Sequence, residues 1–319
     1  MQIKIFLSGV MTVKNRYLIN GFLESGKTTF IRELFMQGYF DTEKKTLIIL
    51  CEEGEEEYDD SFCRKYNVTV KSLESEPDFT LQKIKDMEAE ICPERVIIEF
   101  NGMWNTDSKR MQWEMERPVE IVIIDAQCFE IYSNNLKPYM ISQIRNADMT
   151  IFRSCDGMEK KLAGYRRSIR AANPRTSFVF KDKNGEMDPR LDEDLPYDIN
   201  KDRIVLKDED FGIFYVDVME YVRRYVGKRI CFRGYIFKKK KNMFLIGREA
   251  VTCCMEDLTI FAFICDAECD IEIEDQQWVR AEGIIKEEYF ERMGGTLPCM
   301  DILWMEKSSA PVEKTVDIL

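Results

Sequence analysis

Residues 21–28 read Gly-Phe-Leu-Glu-Ser-Gly-Lys-Thr and fit the phosphate-binding pattern G-x-x-x-x-G-K-[ST] at every fixed position. An apolar run, Tyr17–Ile19, precedes this stretch and is long enough for a buried strand. After it, apolar residues recur at helical spacing over residues 30–35, and Gly38 stands where a helix C-cap belongs. A strand, a glycine-rich turn and a helix form the context in which this pattern predicts a nucleotide phosphate site.

The residue types of this stretch explain how it would hold a nucleotide. Gly21 and Gly26 let the backbone close around an anion with its N–H groups pointing inward. The Lys27 side chain can reach the β- and γ-phosphates, which gives it a catalytic role, and the Thr28 hydroxyl can ligate Mg²⁺. The alternative is a chance glycine-rich turn, which the flanking strand and helix disfavour. The remaining residues predicted to bind the cofactor in this loop are Glu24, Ser25 and Thr29.

The composition bounds the class of protein. The chain has 319 residues, enough for two domains, and its 45% of apolar residues supports real cores. A net charge of −12 argues against binding to nucleic acid, because such proteins are normally basic. Histidine is absent, so the commonest transition-metal ligand and the usual general base are both missing. The eleven cysteines, spread over a chain of this size, indicate reduced thiols and a cytoplasmic protein.

The sequence has no apolar run of about 18 residues, so we expect no membrane insertion. The first ten residues, Met1–Val10, are apolar, but the run is too short and its flanks do not fit a signal peptide.

Short apolar runs alternate with helical patterns through the first half of the chain. This alternation predicts an α/β fold of the P-loop NTPase type, with a mostly parallel sheet covered by helices on both faces. The predicted strands are Tyr17–Asn20, Thr46–Leu50, Thr69–Leu73, Arg95–Phe100, Val119–Asp125, Met149–Phe152 and Ser177–Phe180. Besides the helix after the glycine-rich turn, the predicted helices are Phe79–Glu90, Leu136–Asn146 and Lys160–Ala172.

The chain changes character after the last of these strands. Residues 181–202 are charged and turn-rich, so we predict a nucleotide-binding domain at 14–182, a linker at 183–206 and a small β-rich domain at 207–319. Short strands without intervening helices predict a β-barrel or sandwich. Lysines 238–241 predict a solvated hairpin turn, with an anion-binding patch as the alternative. A helix at Phe214–Tyr225 is predicted to precede strands at Arg229–Phe237, Met243–Ile246, Leu258–Cys265, Trp278–Ile285 and Met300–Met305.

Two acidic segments follow predicted strands of the first domain. Glu99 ends one strand and Gly102 comes three residues later, a pattern that in P-loop proteins places an acid near Mg²⁺ or its water and a glycine N–H near the γ-phosphate. The alternative is an ordinary acidic residue at a strand end. Residues 52–60 are rich in acids and leave the same edge of the sheet, so a carboxylate from this run could contact Mg²⁺. The alternative is a solvated loop.

These motifs resemble those of the CobW-type GTPases, relatives of the nickel-insertion GTPases HypB and UreG. Their phosphate-binding loop is close to Gly-Phe-Leu-x-Ser-Gly-Lys-Thr-Thr, which residues 21–29 reproduce. Their segment Asn-Glu-Phe-Gly-Glu lines up with residues 51–55, and their Glu-x-x-Gly matches residues 99–102. The resemblance implies a GTPase that works in metal homeostasis. It also singles out Glu52 and Glu55, with Thr28 and Glu99, as candidate Mg²⁺ ligands.

The chain departs from the family pattern in two places. The family's metal-binding Cys-x-Cys-Cys is missing from the corresponding region near residues 73–78. In place of the guanine-reading Asn-Lys-x-Asp, residues 153–156 read Arg-Ser-Cys-Asp, so only Asp156 is kept. A carboxylate there can accept hydrogen bonds from the guanine N1 and N2 groups, which adenine lacks. GTP is therefore the predicted nucleotide, with ATP as the alternative.

The C-terminal part contains the adjacent cysteines Cys253 and Cys254, which could hold Zn²⁺ or another transition metal. The alternative is that the cysteines of this domain are small buried apolar residues. Residues 210–306 resemble the soluble domain of a bacterial membrane-protein family associated with a permease. The resemblance rests on Thr252–Cys254, on residues 277–283 and on residues 227–235. It implies a partnership more than a reaction.

The sequence therefore predicts an Mg²⁺-dependent GTP-binding protein or GTPase that acts as a metallochaperone or regulates a metal transport system. Slow turnover is expected because the sequence shows no arginine finger. Its predicted partners are a metal-dependent client protein or a membrane permease, and a homodimer is left open. The alternatives are a nucleotide-dependent switch with negligible hydrolysis, an ATP-using P-loop enzyme, and a C-terminal domain that stores metal.

Overall fold

A computed structural model describes residue 3 and residues 16–52, 57–104, 117–187, 195–251, 258–267, 273–291 and 294–317. The chain divides into two compact units. Met1–Leu162 and Arg175–Arg190 form the first unit, and Ala163–Pro174 and Leu191–Leu319 form the second. Glu55, Cys253 and Cys254, three of the residues predicted to bind metal, lie outside the described residues.

The first unit contains an eight-stranded sheet in the order β3-β2-β4-β1-β5-β6-β7-β8. Neighbouring strands are parallel except for β7 and β8, which form an antiparallel hairpin at one edge. The elements along this part of the chain are β1 (Arg16–Asn20), α1 (Lys27–Met36), β2 (Thr46–Leu50), α2 (Asp60–Lys65), β3 (Val68–Ser72), α3 (Leu81–Ile91), β4 (Arg95–Glu99), β5 (Val119–Asp125), α4 (Phe129–Asn135), α5 (Lys137–Ile144), β6 (Met149–Arg153), α6 (Glu159–Ala172), β7 (Ser177–Asp182) and β8 (Gly185–Met187). Of these, α6 belongs to the second unit from Ala163 onwards. This arrangement confirms the predicted α/β class.

The central strands are buried on both faces because alternate side chains enter two separate cores. Tyr17 and Ile19 of β1 pack in a core with Phe30 of α1, while Leu18 packs in a core with Ile84 of α3. The continuous apolar runs seen in the sequence are explained by this double burial. It also places the carboxyl ends of β1, β2, β4, β5 and β6 along one edge of the sheet, where ligands of such sheets bind.

The predicted strands of the first unit begin and end within two residues of their predicted positions, and so do the helices predicted at Phe79–Glu90, Leu136–Asn146 and Lys160–Ala172. The helix predicted at Leu136–Asn146 is observed as α5, which spans Lys137–Ile144 with Pro138 in its first turn, and the short helix α4 before it was not predicted. The sequence interpretation missed α2, which lies at the end of the acidic run. Its first turn is capped by Asp59, whose carboxylate accepts from the Phe62 N–H at 2.8 Å.

The second unit contains a five-stranded barrel, which confirms the predicted mainly-β class. Its elements are β9 (Arg203–Val205), α7 (Phe211–Glu220), β10 (Arg229–Lys240), β11 (Met243–Val251), β12 (Leu258–Ala267), β13 (Trp278–Phe290), β14 (Gly295–Lys307) and β15 (Thr315–Asp317). The barrel strands follow the order β11-β12-β14-β13-β10 and close through pairing of β10 with β11. Since β12 and β14 are parallel, the topology is the Greek-key order of an OB-fold.

The strands of the barrel are longer than predicted, and the predicted hairpin at the lysine run is shorter. Lysines 238–240 belong to β10, so only Lys241 and Asn242 form the turn into β11. The predicted helix Phe214–Tyr225 begins earlier and ends at Glu220. Two short strands, β8 and β9, lie inside the stretch predicted as a linker, whose boundaries remain a prediction.

None of the helices described above combines the length and the apolar character that a membrane span requires.

Candidate nucleotide-binding site

The loop between β1 and α1 has a backbone that only glycine tolerates at two positions. Gly21 has a φ of 148° and Gly26 a φ of 88°. A Cβ added to Gly21 would lie 2.4 Å from the carbonyl oxygen of Ile123, and one added to Gly26 would lie 2.2 Å from Nη1 of Arg153. The glycines of the motif are thus required both by the turn and by the elements packed against it.

The ammonium group of Lys27 is buried inside this loop, with 3% of the residue exposed. It donates hydrogen bonds to the carbonyl oxygens of Gly21 and Phe22, each at 2.9 Å, and forms an ion pair with the Glu52 carboxylate. The charge that would bind a phosphate is therefore held by the loop itself and by one carboxylate of the segment after β2. An incoming phosphate would compete with Glu52 for Lys27.

The structure brings Thr28 and Glu99 together, as the two motifs predicted. The Thr28 hydroxyl donates a hydrogen bond of 2.6 Å to Oε1 of Glu99. Oε2 of the same carboxylate accepts a hydrogen bond of 2.7 Å from the Tyr58 hydroxyl. Burial raises the pKa of Glu99, and the hydrogen bonds from Thr28 and Tyr58 and the charge of Lys27 oppose this rise.

The donor atoms at this position fit Mg²⁺. Thr28 and Glu99 offer a hydroxyl and a carboxylate oxygen, and Mg²⁺ is usually held by one or two protein oxygens together with substrate phosphates and water. Within the described ranges, no cluster of three or more cysteine, aspartate or glutamate side chains could enclose a metal ion. The donor set thus suits a cation that shares its ligands with a nucleotide.

The Glu-x-x-Gly segment packs directly on the phosphate-binding loop. A Cβ added to Gly102 would lie 2.4 Å from the carbonyl oxygen of Gly21 and 2.8 Å from Nε2 of Gln143. The Gln143 amide donates to the Gly102 carbonyl oxygen at 2.9 Å. This close approach explains why glycine is needed three residues after Glu99.

Ser25 supplies a second kind of evidence for a ligand. The residue is 4% exposed, and its hydroxyl has no hydrogen-bond partner among the described residues. Buried polar groups in native proteins are normally paired, so an unpaired hydroxyl in a glycine-rich loop is a group that a ligand or water can satisfy.

A cleft of about 1000 Å³ opens beside the loop, at the carboxyl ends of β5, β6 and β7. Asp156 lines this cleft, and its carboxylate accepts a hydrogen bond of 3.1 Å from the backbone N–H of Lys183. The predicted base-reading residue therefore lines the same cleft as the phosphate-binding loop, a placement that the sequence alone could not give. The cleft is also lined by Glu24, Ser25, Gly26, Thr29, Asp125, Arg153 and Asp182.

Arg153 is a site residue that the sequence interpretation did not select. Its Nη1 donates to the Gly26 carbonyl oxygen at 2.7 Å, and its Nη2 lies 3.6 Å from Oε1 of Glu33 on α1. Lys181 of β7 forms an ion pair with the same glutamate. The sequence feature that could have identified Arg153 is its position at the end of β6, where the family has asparagine.

The described cysteines are free thiols and none belongs to a metal cluster. Burial raises the pKa of Cys155, next to Asp156, to about 11, so its thiol stays protonated at neutral pH. Burial also raises the pKa of Cys265 and Cys299 in the barrel. These three residues behave as small buried apolar side chains.

The fold and the geometry of this site define a P-loop NTPase-like protein with an α/β nucleotide-binding domain. The family is shown by sequence: residues 15–180 match the nucleotide-binding domain of the CobW/HypB/UreG family, and the chain belongs to that family. Its members are P-loop GTPases related to metallochaperones. Residues 181–316 match the DUF1980 C-terminal domain, which confirms that the two parts resemble different families.

Individual relatives are more distant. The UPF0703 protein YcgQ of Bacillus subtilis is 26% identical over 106 residues, which are 32% of this chain and 37% of that protein. The chain thus spans little more than a third of the length of this curated relative.

Three solved structures are similar to the chain. The hydrogenase maturation factor HypB of Archaeoglobus fulgidus gives a TM-score of 0.42 at 14% identity and covers 58% of this chain and 93% of its own. The Zn(II)-bound YjiA GTPase of E. coli gives a TM-score of 0.41 at 18% identity, and the match covers 69% of this chain and 72% of that one. HypB of Helicobacter pylori, in complex with nickel, gives a TM-score of 0.36 at 15% identity, and the match covers 60% of this chain and 88% of that one. These scores are low, so the family assignment rests on the sequence match.

Proposed function

We propose that this protein binds GTP with Mg²⁺, hydrolyses it slowly, and acts in metal homeostasis as a metallochaperone or as a regulator of a metal transport system. The observation that carries the proposal is the hydrogen bond from Thr28 to Glu99 beside the buried ammonium of Lys27. It joins the phosphate-binding loop to the end of β4, so that a phosphate-binding cation and two Mg²⁺-type ligands meet in one place.

Each residue has a distinct role in the proposed site. Lys27 binds the β- and γ-phosphates, and the backbone N–H groups after Gly21 surround them. Thr28 and Glu99 would hold Mg²⁺, which supplies charge neutralisation on the phosphate oxygens when it is bound. Glu99 also orients water, and Gly102 brings the end of β4 against the loop.

Asp156 supports GTP over ATP, because its carboxylate lies in the cleft beside the phosphate-binding loop. A carboxylate can pair with the N1 and N2 groups of guanine, whereas adenine presents no donor at those positions. Competition of unlabelled GTP and ATP against a fluorescent GTP analogue tests the preference. Equal inhibition by the two nucleotides would contradict the assignment and favour the ATP-using alternative.

A second candidate is a nucleotide-dependent switch with negligible hydrolysis. It is favoured by the engagement of Arg153, whose guanidinium is already bound to Gly26 and Glu33. With Arg153 engaged in this way, Lys27 is, among the described residues, the cation whose side chain lies inside the phosphate-binding loop. A single-turnover assay separates the two candidates: phosphate release over minutes to hours supports a GTPase, and none supports the switch.

The central test is the substitution Lys27→Ala, with the exposed Lys45→Ala as a matched control. We expect Lys27→Ala to abolish nucleotide binding, since it removes the buried cation, while Lys45→Ala binds like the unmodified protein. Isothermal titration with GTP and Mg²⁺ measures both. Unchanged binding by Lys27→Ala would contradict the whole proposal.

The metal cargo is the part of the proposal that depends on family membership. Because the Cys-x-Cys-Cys of the family is missing, Cys253 and Cys254 are the proposed thiolate ligands for Zn²⁺ or another transition metal. Metal analysis of the full chain and of its Cys253→Ser, Cys254→Ser double variant tests them. Equal metal content would remove this site, and nucleotide affinity that does not respond to Zn²⁺, Ni²⁺ or Co²⁺ would favour a plain switch.

The location and the partners follow from the same proposal. We propose a cytoplasmic protein that delivers metal to a client protein or regulates a permease, a partner suggested by the resemblance of residues 210–306 to a permease-associated membrane-protein family. Affinity purification in the GTP-bound and GDP-bound states tests it, and nucleotide-dependent capture of a metal protein or a permease is the expected result.

A further inference from the structure

Tyr58 reaches the proposed Mg²⁺ ligands from the acidic run at residues 52–60, beyond the part that the family motif covers. Its hydroxyl donates a hydrogen bond of 2.7 Å to Oε2 of Glu99. The other carboxylate oxygen, Oε1, accepts from Thr28 at 2.6 Å. Glu99 is 4% exposed, so these two hydroxyl groups replace water on a carboxylate that is almost completely buried.

The backbone around Tyr58 is tied to α1, the helix that begins at the phosphate-binding loop. Arg32 of α1 donates a hydrogen bond of 2.6 Å to the carbonyl oxygen of Glu57. The Tyr58 ring packs on Phe62, with 5.6 Å between the ring centroids, and the Arg32 guanidinium lies 5.2 Å from the centroid of the same Phe62 ring. The hydroxyl of Tyr58 is therefore held towards Glu99 by contacts that do not involve Glu99.

We propose that Tyr58 is a positioning residue that fixes the Glu99 carboxylate for Mg²⁺, an inference that rests on the proposed function. With Thr28 on one oxygen and Tyr58 on the other, the carboxylate cannot rotate without losing a hydrogen bond to a charged acceptor. Tyr58 itself binds neither nucleotide nor metal in this proposal. It acts through Glu99.

The proposal separates two contributions to nucleotide affinity. In the proposed function, Lys27 and the loop N–H groups bind the phosphates with or without Mg²⁺, whereas the hydrogen bond of the Tyr58 hydroxyl runs to Glu99. Loss of the Tyr58 hydroxyl should therefore weaken the Mg²⁺-dependent part of the affinity and leave the Mg²⁺-independent part unchanged.

The test is Tyr58→Phe in the full chain, which removes the hydroxyl and keeps the ring on Phe62. Tyr66→Phe is the matched control, because the Tyr66 ring packs on Phe62 and Phe35 in the same cluster. The affinity for a fluorescent GDP is measured in EDTA and over a Mg²⁺ titration. We expect the half-saturating Mg²⁺ concentration to rise about tenfold in Tyr58→Phe, the usual effect of one hydrogen bond to a charged group, and to stay unchanged in Tyr66→Phe.

A double-variant cycle shows whether the effect passes through Glu99. In a Glu99→Gln background, Tyr58→Phe should change the Mg²⁺ dependence no further, because the carboxylate that it positions is gone. An additive effect would overturn the proposal. So would an unchanged Mg²⁺ dependence in Tyr58→Phe alone, or an equal loss of affinity in EDTA, which indicates a structural role. Nucleotide binding by the unmodified chain with no effect of Mg²⁺ would instead contradict the proposed function, and with it the role of Tyr58.

Discussion

The guanidinium of Arg153 donates a hydrogen bond from Nη1 to the carbonyl oxygen of Gly26, with 2.7 Å between the two atoms. Gly26 is the last glycine of the phosphate-binding loop. Arg153 is the last residue of β6 and lines the adjacent cleft. This hydrogen bond joins the backbone of the loop to the strand that precedes Asp156, the proposed base-reading residue. In the family pattern this position is asparagine, and in this chain it is an arginine whose guanidinium contacts the loop.

Replacement of Arg153 by alanine is expected to weaken GTP and ATP binding alike, by about tenfold, because the loop loses a charge-assisted hydrogen bond. The ratio of the two affinities should stay the same, since Asp156 is untouched. Competition binding measures both quantities, and Arg64→Ala, which removes an exposed arginine, is the control. A changed ratio would show that Arg153 reads the base.

Replacement of Glu52 by glutamine is expected to raise the affinity for nucleotide in EDTA several-fold. The Glu52 carboxylate pairs with Lys27, so it competes with the phosphates for the same ammonium and repels them. Glu57→Gln removes the same charge from an exposed side chain in the same segment and should have a much smaller effect. Equal effects of the two substitutions would assign the change to net charge alone.

Replacement of Gly102 by alanine is expected to reduce nucleotide binding strongly, because its Cβ would lie 2.4 Å from the Gly21 carbonyl oxygen and force the loop to move. Gly164→Ala is the contrasting variant. Gly164 lies in α6 with open space around its missing Cβ, and alanine there should stabilise the protein by about 1 kcal/mol. Nucleotide titration and thermal unfolding test the two variants. Normal binding by Gly102→Ala would show that the loop can shift to accept the added methyl group without losing its nucleotide.

The second unit has a pH-dependent ion pair between β9 and the barrel. Arg203 donates to both oxygens of Glu282, with Nη2 to Oε2 at 2.6 Å, and these hydrogen bonds hold the pKa of Glu282 below its usual range. The stabilisation should be complete above the unfolded pKa of about 4.3 and should disappear as the pH falls through the lowered pKa of the folded state.

Glu282→Gln is therefore expected to lower the stability by about 1 kcal/mol at neutral pH and to make no difference in acid. Chemical denaturation between about pH 3 and 7 measures it, with the exposed Glu274→Gln as the control. A difference in stability between Glu282→Gln and the unmodified protein that persists at the lowest pH would mean that packing, and not charge, holds β9.

Much of the site could be read from the chain because its chemistry is local. The turn at Gly21 and Gly26 and the positions of Lys27 and Thr28 follow from eight adjacent residues. The strands of the first unit were predictable because they are buried on both faces and therefore continuously apolar. Capping chemistry was harder to read: α2 begins at an Asp59 cap inside an acidic run that resembles a loop.

The sequence alone determined the class of the first unit, the phosphate-binding loop and the family, because each rests on a short motif or a regular pattern. Only the tertiary structure decided which distant side chains meet. Arg153 and Glu52 reach the loop, and Tyr58 reaches Glu99, because parallel strands bring their carboxyl ends to one edge. That edge joins residues that are tens of positions apart along the chain, and no local pattern records such a contact.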